Sequence, residues 1–149
     1  MKKFTLLLIS CCIIQFAFSQ QKHTVEGKWV TIDDKTQKPK SIVELQVNNN
    51  ILTGRIIKLY PRAGRPPNVT CTLCTDDRKN QLIEGLQIIR GLKKSDGEWS
   101  GGTVVDPASG KVYSCKIWLD PNNANFLNLR GYIGIFYRTQ KWVRYTGGN

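Results

Sequence analysis

Histidine is almost missing from this sequence: His23 is the only one among 149 residues. A lone imidazole near the start of the chain cannot complete a triad, and no Gly-x-Ser-x-Gly elbow is present, so serine or cysteine nucleophile chemistry lacks its base. Acidic residues are also scarce, 11 against 22 Lys and Arg. The two adjacent pairs, Asp33-Asp34 and Asp76-Asp77, lie in polar, turn-like stretches without apolar surroundings to raise one carboxyl. They read as solvent-exposed turn and capping residues rather than a hydrolase dyad. Asp106 reads as the start of a turn, through an Asx hydrogen bond. These shortages point away from an enzyme, and no catalytic residue and no cofactor are assigned. No block of five or six like charges occurs. The cations are spread from Lys22 to Arg144 as solvated positions, which argues against nucleic acid as a partner. Segments of helical period, internal repeats and low-complexity tracts are missing as well.

The longest apolar stretch lies at the very start. Lys2 and Lys3 precede an apolar-rich run from Phe4 to Phe18, and Ala17-Phe18-Ser19 places small residues where a signal peptidase reads. At about 14 residues the run is short of the roughly 20 that a membrane-spanning helix needs. A signal peptide over residues 1–19 is therefore expected, with a mature domain over 20–149 in the periplasm or outside the cell. Lipoprotein processing at Cys11, after Leu8-Ile9-Ser10, is the minor alternative. Removing Lys2 and Lys3 takes the basic count from 22 to 20 against 11 acids, a net charge of +9, which favours anionic partners in general. About 130 residues suffice for one domain with a real core and are too few for two.

What fills that domain is alternation. From Val25 onward apolar and polar residues alternate between Gly, Pro and Asn punctuation, which predicts strands near 25–33, 40–48, 51–60, 86–94, 98–105, 111–120, 125–133 and 138–145. Asn48-Asn49-Asn50, Ser95-Asp96-Gly97, Asp106 to Gly110 and Asp120 to Asn123 supply short turns that join neighbours antiparallel. Residues 61–85 are the exception, a long loop with Pro66-Pro67 and Cys71-Thr72-Leu73-Cys74, in which a short helical turn is possible around 76–82. Eight strands in meander order close into an antiparallel up-and-down barrel, which removes exposed edges. Closure would bring Trp29 of the first strand against an arginine of the last.

Gly27-Lys28-Trp29 with a late arginine is similar to the closing signature of lipocalins and the wider calycin superfamily. A match over nearly the whole mature chain is more specific: Gly27-Lys28-Trp29, Lys40 to Glu44, Gly85 to Lys93, Ser100-Gly101-Gly102, Asp106-Pro107 with Gly110 to Tyr113, Arg130-Gly131-Tyr132, and Arg138-Thr139-Gln140 with Trp142. Together these resemble the bacterial exported family called domain of unknown function 2147, in its Cys-x-x-Cys loop form. The resemblance implies a calycin-like eight-stranded barrel and a signal peptide, and it implies no activity. Binding of a small apolar ligand enters only by analogy of fold.

With Cys11 and Cys12 in the leader, Cys71, Cys74 and Cys115 remain, an odd number. Export permits a local Cys71–Cys74 disulfide, the leading reading. A bridge to Cys115, a zinc site drawn from Cys71, Cys74, Cys115 and His23, and a redox centre are the alternatives. The redox reading lacks a helix N-terminus and a βαβ setting. No metal is assigned, and Cys115 reads as a buried free thiol. Arg130 and Tyr132 share one strand face, and Arg138, Gln140, Trp142 and Arg144 another. Pointing inward, with Trp29 and Tyr113, they would line a partly polar cationic pocket for a small hydrophobic, anionic or amphipathic molecule. Pointing outward they would form a cationic-aromatic stripe, and Trp29, Trp142 and one arginine could simply plug the barrel end. The preferred reading is a non-enzymatic ligand-binding barrel. The alternative is an envelope structural or interaction protein with a filled core and a partner-binding loop at 61–85.

Overall fold

The computed structural model describes residues 23–147. The signal peptide expected over 1–19, and the lipoprotein alternative at Cys11, lie outside the described residues. Strands β1 (Gly27–Ile32), β2 (Pro39–Asn48), β3 (Ile51–Leu59), β4 (Gln87–Ser95), β5 (Glu98–Asp106), β6 (Lys111–Asp120), β7 (Asn123–Ile133) and β8 (Phe136–Arg144) form a closed antiparallel barrel. Each strand pairs with the next, and β8 returns to β1 through Trp29↔Arg144 and Val30↔Val143.

Alternation decides which side chains go inside. Val43, Leu45, Leu52, Ile89, Leu92, Ile117 and Leu127 are each at most 1% exposed and belong with Trp29 to one buried cluster. Each such burial contributes roughly 1.5–3 kcal/mol relative to solvent. Register shifts interrupt strict alternation on several strand pairs, and two of them fall beside glycines in the left-handed region. Leu52↔Leu92 and Gly54↔Ile89 set two residues of β3 against three of β4, where Gly91 has φ 73°. Trp99↔Ile117 and Gly102↔Cys115 do the same on β5, where Gly101 has φ 78°. These β-bulges use glycine in the left-handed region to bend the sheet and to shift the inward parity by one.

The expected strands are all present, with two ends extended. β8 begins at Phe136 because Phe136 pairs directly with Ile133, leaving only Gly134-Ile135 as the connection. β7 begins at Asn123, which pairs with Asp120. The long connection between β3 and β4 holds no helix. The stretch expected to make a helical turn instead makes tight turns, with Lys79 N donating to Asp76 O and Gln81 N to Arg78 O. The Thr70↔Leu82 bridge holds the loop's two arms together.

Since strands alternate in direction, the β1–β2, β3–β4, β5–β6 and β7–β8 connections lie at one end of the barrel and the other three at the opposite end. The second end is packed shut. The first is open.

Candidate functional site

At the closed end Trp29 is fully buried and donates from Nε1 to Val25 O at 2.8 Å. The Arg144 guanidinium lies 4.2 Å over its ring. That guanidinium donates to Ala124 O at 3.0 and 3.2 Å, to Thr24 O at 2.8 Å and to Glu26 O at 3.3 Å, so one side chain ties both chain ends to the β6–β7 side. Burial pushes its pKa below the ordinary arginine value.

Above this plug the barrel is hollow. A cavity of about 720 Å³ runs between Ile56, Ile88, Val104, Leu129 and Trp142 toward the open end. That size suits a small organic ligand. The wall carries one buried polar pair, Thr31 Oγ1 and Ser41 Oγ, 2.7 Å apart. The hydroxyls satisfy each other there.

The rim is assembled from the four open-end connections, cross-tied by charge. Asp33 in the β1–β2 loop accepts from Arg62 of the long loop at 2.5 Å, and also from the amides of Lys35 and Thr36. Hydrogen bonding by Arg62, then by Thr36, holds its carboxyl far below the usual carboxylate range. Asp34 is engaged by Arg138 and by Gln140 Nε2, the latter at 3.0 Å, which links β8 to the β1–β2 loop where the β1–β8 ladder has ended.

The long loop is a built element. Cys71 and Cys74 form a disulfide, which also removes two of the four ligands that the zinc alternative required. Both sulfurs are buried against the β5–β6 turn, with Cys71 Sγ 3.6 Å from Pro107 O. Gly110, at φ 70°, lets that turn lie against the Leu73 carbonyl, where a Cβ would collide with it. Asp76 and Asp77 are exposed turn residues, as read from sequence, and each also anchors the loop through an arginine. Asp76 accepts from the Arg78 Nε at 3.0 and 3.1 Å, and Asp77 takes a two-pronged contact from Arg90 of β4 at 2.8 Å each. Hydrogen bonding from the Arg78 side chain and then its amide lowers the Asp76 pKa to about 2. The Arg78 side chain is buried, with Nη1 also reaching Gln87 O at 3.4 Å. Cys115 is a buried free thiol, and desolvation pushes its pKa up to about 12.

The eight candidate ligand-binding residues divide three ways. Tyr113, Arg138, Gln140 and Trp142 line the cavity. Trp29 and Arg144 form the plug at the other end and do not touch it. Arg130 and Tyr132 stand on the outer face, where Arg130 lies 4.3 Å over Tyr137 and 5.3 Å over Trp118. The signal for this split was present: on β7 the inward row is Leu127, Leu129, Gly131 and Ile133, which leaves Arg130 and Tyr132 outside. Sequence reasoning missed Thr31, Ser41, Ile88, Val104 and Gly131 as lining residues. Their strands were expected, but nothing in them marks which half of a strand faces a void.

Residues 27–144 match the family described as "Uncharacterized protein conserved in bacteria (DUF2147)". The chain belongs to the DUF2147 family. Among solved structures, this DUF2147 protein is similar to protein HP1028 from Helicobacter pylori, described as belonging to the lipocalin family. The likeness has 18% identity, covers 84% of this chain and 85% of that one, and has a TM-score of 0.68. At that identity the likeness concerns the fold alone. No curated protein matches the chain. The DUF2147 chain is thus an eight-stranded lipocalin-like barrel with a Cys71–Cys74 disulfide in its one long loop.

Proposed function

We propose that this protein is an exported, non-enzymatic binding protein that holds one small amphipathic molecule in the open half of its barrel. The hollow above the Trp29–Arg144 plug carries the reading. An apolar body fits between Ile88, Val104, Leu129 and Trp142, and an anionic head fits at the rim beside Lys40, Arg65 and Arg138. The disulfide supports export, since such bonds persist in oxidising compartments. The non-enzymatic part rests on the missing base and nucleophile of the sequence.

Gly131 provides the test. It faces the cavity, and a Cβ there would sit in ordinary contact with Tyr113, 3.6 Å away, so a larger side chain enters the void without meeting backbone. Titration with anilinonaphthalene sulfonate, an apolar anionic dye, is expected to saturate at one site and to be reversed by a long-chain fatty acid. Gly131→Leu should weaken the dye by about tenfold or more while keeping the wild-type far-UV spectrum. Equal dye affinity in Gly131→Leu and wild type would remove the cavity from consideration.

One observation favours the second reading, an envelope interaction protein. The long loop exposes Leu73 and Leu82 at 56% and 50%. Loss of a cross-linked envelope partner on Leu73→Ser/Leu82→Ser, with dye binding intact, would move the function to the loop.

A further inference from the structure

The most exposed apolar segment among the described residues is the β7–β8 hairpin tip. Ile133, Ile135, Phe136 and Tyr137 are 57%, 90%, 75% and 62% exposed, with only Gly134 among them. A two-residue turn has no use for apolar side chains in water, and polar residues would close it equally well. The tip is also placed at the cavity mouth: Ile133, Phe136 and Tyr137 line it together with Lys35, Lys40 and Arg65.

The charges at this mouth are unbalanced in one direction. Asp33 is engaged by Arg62, Asp34 by Arg138, and Asp106 by the Ser109 hydroxyl and the Ala108 amide of its own turn. Among the described residues Lys35, Lys40 and Arg65 have no carboxylate within ion-pair distance. Just behind the tip, on the outer face, Arg130 is sandwiched by Tyr137 and Trp118, and Tyr132 packs on Tyr137 with centroids 6.2 Å apart. Apolar residues at an extremity, backed by aromatic rings and ringed by cations, are the composition that seats a protein in the headgroup region of a bilayer.

We propose that the open end of the barrel docks on an anionic lipid surface, with Ile135 and Phe136 entering the headgroup–acyl boundary and Lys35, Lys40 and Arg65 meeting lipid phosphates. The cavity mouth then faces the bilayer. Charge complementarity selects this occupant, because a second copy of a chain with 22 basic and 11 acidic residues would bring cations against the same cations. The docking surface goes beyond the ligand-binding reading: it shares the cavity's mouth, which Lys35, Lys40, Arg65 and Phe136 line, but contact with lipid does not need an occupied cavity.

The test is co-sedimentation of the purified protein with large unilamellar vesicles of phosphatidylcholine alone, or with one third phosphatidylglycerol, the N-terminal segment being the same in every variant. Wild type is expected to bind the anionic vesicles and to leave the neutral ones largely unbound. Lys35→Gln/Lys40→Gln should lower the partition coefficient by about thirtyfold, two cations at about 1 kcal/mol each near an anionic surface. Ile135→Ser/Phe136→Ser should lower it by about tenfold or more and remain folded, since both side chains are already in solvent. Dye binding without vesicles should be unchanged in Ile135→Ser alone, the tip side chain that does not line the cavity, which separates failure of docking from failure of the cavity. Binding unaffected by the Ser pair would overturn the proposal, as would equal binding to neutral vesicles. So would a wild-type dimer, seen by analytical ultracentrifugation, that the Ser pair converts to monomer, since the tip would then belong to a second copy.

Discussion

Arg144 shows how much one side chain can carry when the ladder around it is short. Only Trp29↔Arg144 and Val30↔Val143 pair across the β1–β8 seam, with Tyr145 N to Lys28 O at 2.9 Å beyond them. The guanidinium supplies the rest, through carbonyls of Thr24, Glu26 and Ala124 and the face of Trp29. Arg144→Met should cost about 2–4 kcal/mol in urea unfolding, from the cation–π contact and carbonyls left without donors in a part-buried site. Arg144→Lys should recover only part of that, because three donors on one nitrogen do not span the carbonyls that Nε, Nη1 and Nη2 reach separately, and an ammonium has no flat face for Trp29. Cys115 gives a residue-scale prediction of the opposite kind. With its pKa pushed up to about 12 and its sulfur buried, it should resist iodoacetamide at pH 8 for as long as the barrel is folded. Labelling in native buffer at the rate seen in urea would contradict the burial.

Among the elements, the long loop departs most from what a loop of its length usually is. Its order comes from the disulfide, the Arg78–Asp76 and Arg90–Asp77 pairs, and the seat on Gly110. Cys71→Ala/Cys74→Ala should cost about 2 kcal/mol from loop entropy, with faster amide exchange confined to residues 69–83. Gly110→Ala should be worse than that, since it combines a left-handed φ with a collision against the Leu73 backbone. Acid provides a separate probe. Arg78 lowers the Asp76 pKa from 3.8 to about 2, so its contribution is complete above about pH 4 and is lost as pH falls through about 2. The Arg78 Nε–H signal in NMR should therefore persist from neutral pH to about 4 and disappear toward 2. Loss of the signal at pH 5 would contradict the pairing.

Elements also show what could be read beforehand. The eight strands and their meander were legible because alternation and turn residues act locally. Trp29 against a late arginine was legible because closure demands it. The bulges at Gly91 and Gly101 were not, since a glycine in a strand has the same sequence appearance whether it bends the sheet or merely lies in it. Arg130 and Tyr132 could have been placed outside from the parity of Leu127 and Leu129. The division of the interior into packed and hollow halves was beyond reach, because Ile88 and Ile89 look alike in sequence and are both buried, while only Ile88 borders the cavity. The ion-paired roles of Asp76 and Asp77 depend on Arg78 and on Arg90 of another element, contacts that only the folded chain brings together.

For the molecule as a whole, the up-and-down order has a consequence for how variation can be tolerated. Every strand runs from one end of the barrel toward the other, so each carries residues that pack the closed half and residues that border the void. On β2, Leu45 belongs to the first and Ser41 to the second; on β7, Leu127 and Gly131 divide the same way. Deep mutational scanning should therefore give two interleaved maps on every strand, one of intolerance to polar substitution and one of tolerance with altered dye affinity. A circular permutant opened at Asp96-Gly97, in the closed-end turn between β4 and β5, should keep the mouth whole, while one opened at Gly134-Ile135 should not. Selection can then reshape the void by editing eight strand ends, leaving the portion that makes the barrel fold untouched.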